Sequence, residues 1–295
     1  MKTDFDTIPE NPFLNFKARN LLFGGFLLSV AIGLAVSPIS SFSGFNSHDP
    51  VFALLISCLT FMLLSLWTVL RLHRQQIKVK RLIGHLPNHY PWLPTLGIVI
   101  SILLFSLGSG QLFYYALSFS NPTLVESLLK QKTFLSGSET VTPLFHNLLI
   151  IFTILIVAPV TEEFIFRGVL LHRWTAKWGV TPALLISALL FGLLHANIVG
   201  LFVFGLMMAV LYLKTRTLIV PIICHALNNL VAVGLELASQ NSGTTEKFDV
   251  LTELRAYWWV GVVYIVLSAP WLITFLYNNW PKPSLPLPYF ANSGR

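Results

Sequence analysis

Apolar residues in this chain fall in long, nearly uncharged runs separated by short polar stretches. The runs cover residues 21–36, 51–69, 93–117, 144–160, 182–196, 198–213, 218–237 and 258–277. A hydrocarbon core of about 30 Å is crossed by roughly 20 helical residues. Lipid offers the backbone no hydrogen-bond partners, which restricts spanning structures to helices and closed barrels. Barrel strands would read as alternating segments of about ten residues, whereas these runs are longer and continuous. They predict an all-α fold, a polytopic membrane helix bundle of about eight transmembrane helices.

The interruptions divide the chain. Residues 1–20 form an N-terminal segment, 21–143 the first transmembrane helices and their loops, and 144–238 a second set of helices. Residues 239–280 comprise an outer loop and the last helix, and 281–295 a proline-rich tail. The stretches 121–142 and 239–253 are polar and read as solvent loops, while the prolines of 281–288 predict extended chain. The first apolar run follows Pro9 and Pro12, has no small-residue cleavage site behind it, and reads as a retained helix.

Composition narrows the class further. Hydrophobic residues make up 55% of the chain and charged residues 11%, against about 25% charged in soluble domains, and mean hydropathy is +0.72. The expected location is integral and multi-pass, in the cell membrane of a bacterial-type cell. Basic residues in short loops favour the cytoplasmic side. With both termini cytoplasmic, that side collects Lys2, Lys17, Arg19, Arg71, Arg74, Lys78, Lys80, Arg81, Arg167, Arg173, Lys177, Lys214, Arg216, Lys282 and Arg295. The other side keeps Lys130, Lys132, Lys247 and Arg255. Anionic lipid headgroups account for the net charge of +7, and no basic stripe with interleaved aromatics calls for a nucleic-acid partner. Cys58 and Cys224 lie in apolar runs and read as small hydrophobes. Gly108-Ser109-Gly110 reads as a close helix contact; it lacks the context and the spaced histidine of a rhomboid-type serine nucleophile.

The second half carries ionisable groups where the first has almost none. Glu162, Glu163, Arg167, His195, His225, Asn228 and Asn229 fall in or beside apolar runs, where a charge costs at least about 2.5 kcal/mol and so faces a bundle interior or a wet cavity. On a helix Glu163 and Arg167 share a face and can pair, while Glu162 points about 100° away. Pro159 breaks the backbone bonding of this helix and opens space beside Glu162. Phe191 and His195 share a face, and Gly192 admits a close neighbour. His225 and Asn229 are likewise four apart. At about 1.5 Å per residue, Glu162, His225 and His195 lie roughly 15, 12 and 20 Å from their helix ends, depths that let three helices converge below the cytoplasmic surface.

In order and spacing, Glu162-Glu163 with Arg167, Phe191 with His195, and His225 with Asn229 resemble the E-E-x-x-x-R, F-x-x-x-H and H-x-x-x-N motifs of the CAAX protease and bacteriocin-processing (CPBP, or Abi) family. The resemblance covers residues 158–233. It implies a glutamate-dependent intramembrane endopeptidase of the CAAX prenyl protease type, acting on a peptide or protein, lipidated in the eukaryotic branch, without a cofactor. Carried over, Glu162 is the general base toward water and His195 helps hold that water. His225 and Asn229 polarise the scissile carbonyl and stabilise its oxyanion. Glu163, Arg167, Phe191 and Asn228 support them. Three alternatives stay open. One is a zinc peptidase with Glu162, His195 and His225 as ligands. The others are a non-enzymatic immunity or scaffold protein of the same family, and a proton-relaying transporter.

Overall fold

The computed structural model describes residues 11–43, 49–130, 140–241 and 250–294, and among them there is no strand. Eight helices build the bundle: α1 (Ala18–Ser43), α2 (Pro50–Arg74), α3 (Trp92–Ser120), α4 (Pro143–Trp178), α5 (Val180–Leu193), α6 (Ile198–Thr215), α7 (Ile219–Asn241) and α8 (Trp258–Asn279). Among the described residues seven helices are long and apolar enough to cross a membrane; α5, with 14 residues, is shorter. The protein is an all-α, multi-pass integral membrane protein.

Both ends of the described chain meet at one end of the bundle. The Phe13 ring packs edge-on to Tyr289, with centroids 5.1 Å apart. The Asn292 amide donates to the carbonyls of Arg81 and Arg216, and Tyr212 Oη donates to that of Leu82. The N-terminal segment, the α2–α3 connection, the α6–α7 turn and the tail therefore share one face, the one carrying the basic loops; Lys2 and Arg295 lie outside the described residues. Seven long helices alone would leave the two ends on opposite faces, and α5 supplies the remaining reversal. At the other end, Asp49 caps α2 by accepting from Val51 N–H and also accepts from the Thr140 hydroxyl, while Arg255 donates to Ser118. Lys132 and Lys247 lie outside the described residues.

Three stretches expected to lack structure contain helix. In 121–142, Pro122–Lys130 is helical because the Asn121 side chain accepts from Leu124 N–H and Val125 is buried. In 239–253, α7 runs on to Asn241 and a further helix, Val250–Ala256, is tethered through Arg255. The tail ends in a helical turn, Pro288–Ala291, that starts on proline and places Tyr289 beside Phe13 and His172. Residues 131–139 and 242–249 of the two polar stretches lie outside the described residues.

The core sits around α6, where every residue from Phe204 to Leu213 is buried. Gly192 lets α5 and α6 close together, since a Cβ there would stand 2.5 Å from the Ile198 carbonyl oxygen. Gly179 ends α4 in a left-handed conformation, φ 85°, that glycine adopts without strain. On the far side, Gly108 of α3 meets Gly261 of α8, where a Cβ would come within 2.6 Å of the Gly261 carbonyl. The Gly108-Ser109-Gly110 run is thus a close helix contact.

Candidate active site

The site is organised by irregularities in α4. At 36 residues this helix is about 54 Å long, well beyond a hydrocarbon core of about 30 Å, and two π turns interrupt it, Thr153–Val157 and Phe164–Leu170. In the first, Ala158 N–H bonds to Thr153 O, five residues back. The next carbonyl in that register, Ile154, would bond to the nitrogen of Pro159, which has no hydrogen. Asn229 Nδ2 of α7 donates to it instead, at 2.9 Å. In the second, Leu171 N–H reaches back to Phe166 O, and Arg167 O accepts from His172 Nδ1. Glu162 and Glu163 lie between the two interruptions, where π turns re-aim side chains.

Glu163 is wholly buried, and its Oε1 accepts from Arg167 Nη1 at 3.0 Å and from His225 Nδ1 at 2.9 Å. The expected Glu163–Arg167 pair is formed. Arg167 also donates through Nη2 to Gly205 O of α6 and lies over the Phe191 ring at 4.6 Å. Glu162 retains 14% side-chain exposure, and its Oε2 has no hydrogen-bond partner among the described residues. His225 stands between the two acids, its Nε2 4.0 Å from Glu162 Oε2, close but beyond hydrogen-bond reach. A carboxylate only accepts, so His225 Nδ1 carries the hydrogen. Phe204, at 4.8 Å, flanks the imidazole.

His195 lies in the turn beyond α5, with its ring stacked on Phe191 at 4.6 Å. Its Nδ1 is 2.7 Å from Phe191 O. A carbonyl only accepts, so this nitrogen is the donor, and in the neutral ring Nε2 is the acceptor. Glu162 and His195 line one cavity of about 560 Å³, whose walls are otherwise mostly apolar, with Leu21, Phe26, Leu64 and Ile165 among them. His225 approaches Glu162, while Asn229 is spent in part on Ile154 and does not line the cavity. The Asn228 side-chain oxygen, Oδ1, is buried and unpartnered among the described residues. The four expected groups therefore gather around one stretch of α4, but not around one polar pocket. Among the described residues no three His, Cys, Asp or Glu side chains are grouped to hold a metal ion.

Some of the machinery carries no signal in the sequence. Thr161 accepts from Ser65 Oγ at 2.9 Å, fixing α4 to α2 beside Glu162. The Gly205 carbonyl that holds Arg167 is backbone, and Phe204 looks like any other core aromatic.

Residues 144–231 match the family model described as type II CAAX prenyl endopeptidase Rce1-like. Among curated proteins, the chain is 35% identical over 85 residues to the Bacillus subtilis (strain 168) protein named "Putative membrane peptidase YdiL", a stretch covering 28% of this chain and 35% of that relative. It is 27% identical over 173 residues to an uncharacterized 24.3 kDa protein of Escherichia coli, covering 56% of this chain and 72% of the relative. No solved structure matches the chain.

Proposed function

We propose, for a chain whose residues 144–231 match the type II CAAX prenyl endopeptidase Rce1-like family model, that it is an intramembrane endopeptidase in which Glu162 activates water. One observation carries the reading: of two adjacent glutamates, Glu163 is wholly buried and held by Arg167 and His225, whereas Glu162 lines a cavity with His195 on the same wall; each acid keeps one oxygen without a partner among the described residues. Glu162 takes a proton from water, and His195 Nε2 accepts a hydrogen bond from the hydrogen that stays on the attacking oxygen. The water oxygen attacks the scissile carbonyl carbon, and the oxyanion is stabilised by an N–H at His225 Nε2 and by the second hydrogen of the Asn229 amide, both of which reach the substrate from beyond the cavity lining. Each such donor contributes roughly 3 kcal/mol. The proton held by Glu162 then passes to the leaving amine.

The apolar walls suit a peptide or protein substrate carrying an apolar residue or a lipid chain. Profiling of peptide libraries with the purified protein and with Glu162→Ala tests the proposal. Cleavage by the wild type that the variant lacks is the expected result, and equal cleavage by both overturns it. A wild type that cleaves nothing favours the immunity or scaffold reading, and inhibition by a zinc chelator that added zinc reverses favours the zinc peptidase.

A further inference from the structure

At the end of the bundle that carries the basic loops lies a second cavity of about 470 Å³, lined by Lys17, Arg19, Arg173 and Lys177 together with Trp174 and Trp178. Four cations around one concavity repel one another unless an anion joins them. No carboxylate among the described residues forms an ion pair with any of the four. Arg173 Nη1 is buried without a hydrogen-bond partner among those residues, and Lys177 rests over the Trp178 ring at 4.7 Å. The cavity is therefore built for a negatively charged group.

Its position says what that group is attached to. Lys17 immediately precedes α1, and Lys177 and Trp178 end α4, so the cavity sits where two spanning helices leave the hydrocarbon. Tryptophans prefer that level of the bilayer, and Trp174 and Trp178 stack there, with centroids 6.3 Å apart. Leu22 lines both this cavity and the apolar one beside Glu162, so a charged pocket and an apolar pocket adjoin along α1. From these features we infer a binding site for an anionic phospholipid, its phosphate among Lys17, Arg19, Arg173 and Lys177 and one acyl chain running past Leu22 into the cavity lined by Phe26, Leu64 and Leu194. A chain in that position lies against Glu162 and His195, so bound lipid and substrate exclude one another there. The lipid site itself stands without the peptidase reading, because it is drawn from the charges and the shape alone.

The test uses the purified full-length protein in neutral detergent with a phosphatidylglycerol carrying a photoactivatable group midway along one chain, and a phosphatidylcholine with the same chain. Phosphatidylglycerol is expected to label the apolar cavity, mapped to the peptides holding Leu22, Phe26, Leu64 or Leu194, and phosphatidylcholine to label it at least about tenfold less. The double substitution Arg173→Gln with Lys177→Gln, which touches neither Glu162 nor His195, is expected to cut the phosphatidylglycerol label by about tenfold or more, since it removes two charge-assisted contacts. Equal labelling by the two lipids, or full labelling of the double variant, overturns the proposal. So does complete displacement by millimolar inorganic phosphate, which would make the pocket a free-anion site, or by a short acidic peptide, which would make it a peptide site.

Discussion

The outer and inner helices of this bundle satisfy their polar groups in different ways. In α1 and α2 only 11% of the apolar window is buried, whereas in α6 the share is 61%. Ser57, Thr60 and Thr68 of α2 and Ser101 of α3 return their hydroxyls to carbonyls four residues earlier in their own helix. Such groups ask nothing of a neighbour and tolerate lipid. In α4 the pattern reverses: Arg167 bonds to α6, Glu163 to α7, and the Ile154 carbonyl to Asn229 of α7. The helices of the candidate site are tied to one another by buried charged and amide groups, and the lipid-facing helices mainly by shape, as at Gly108 and Gly261, with single polar ties such as Ser65 to Thr161 and Asn197 to Ser106. A substitution inside the tied set should therefore disturb charge or chemistry, and one outside it should disturb fit alone.

The largest expected effect is on turnover. Glu162→Gln keeps the shape of the side chain but removes the proposed base, and is expected to lower turnover by about 10²–10⁴-fold with the melting temperature in detergent nearly unchanged. Retained turnover in this variant, together with loss in Glu163→Gln at unchanged stability, would show the two acids to have exchanged roles.

Next come Glu163→Ala and Arg167→Ala, each of which leaves a buried charge unpaired. Breaking such a pair costs about 3–5 kcal/mol, so both variants are expected to melt well below the wild type. Melting within about a degree of it would mean that the pair is not what holds α4 to α6 and α7.

Asn229→Ala strips the donor from the Ile154 carbonyl and is expected to cost about 1–3 kcal/mol of stability in addition to any loss of turnover. Reduced turnover with no change in melting would confine Asn229 to the oxyanion and leave the π turn before Pro159 to support itself.

The smallest contrast lies within one lipid-facing helix. Gly108→Ala drives a methyl group toward the Gly261 carbonyl and should cost about 1–3 kcal/mol, while Gly97→Ala in the same helix meets open space and should be neutral or stabilising by up to about 1 kcal/mol. Turnover per folded molecule should be unaffected in both. An activity change at Gly108 would show that the contact between α3 and α8 reaches the candidate site.

Much of this organisation is legible in the chain. Long uncharged runs dictate spanning helices, because hydrocarbon leaves the backbone no other way to bond, and the spacing of Glu163 and Arg167 dictates their pairing, because a helix puts residues four apart on one face. The same logic fails in the polar stretches 121–142 and 239–253, where caps and tethers such as Asn121 and the Arg255–Ser118 contact turn polar sequence into helix. It also fails for the proline-rich tail, whose Tyr289 is fixed by Phe13, more than 270 residues away in the chain.

What only the tertiary structure decided is how the two glutamates differ. Sequence places them side by side with one pairing to Arg167, but the second hydrogen bond to Glu163 comes from His225, 62 residues away, and the approach of the same histidine to Glu162 follows from the packing of α7 on α4. Likewise the donor that replaces the missing Pro159 N–H belongs to another helix. Helical periodicity fixes which residues share a face of one segment; it says nothing of which face of another segment arrives there. That is set by close packing around Gly192 and Gly205 and by the requirement that each buried polar group find a partner.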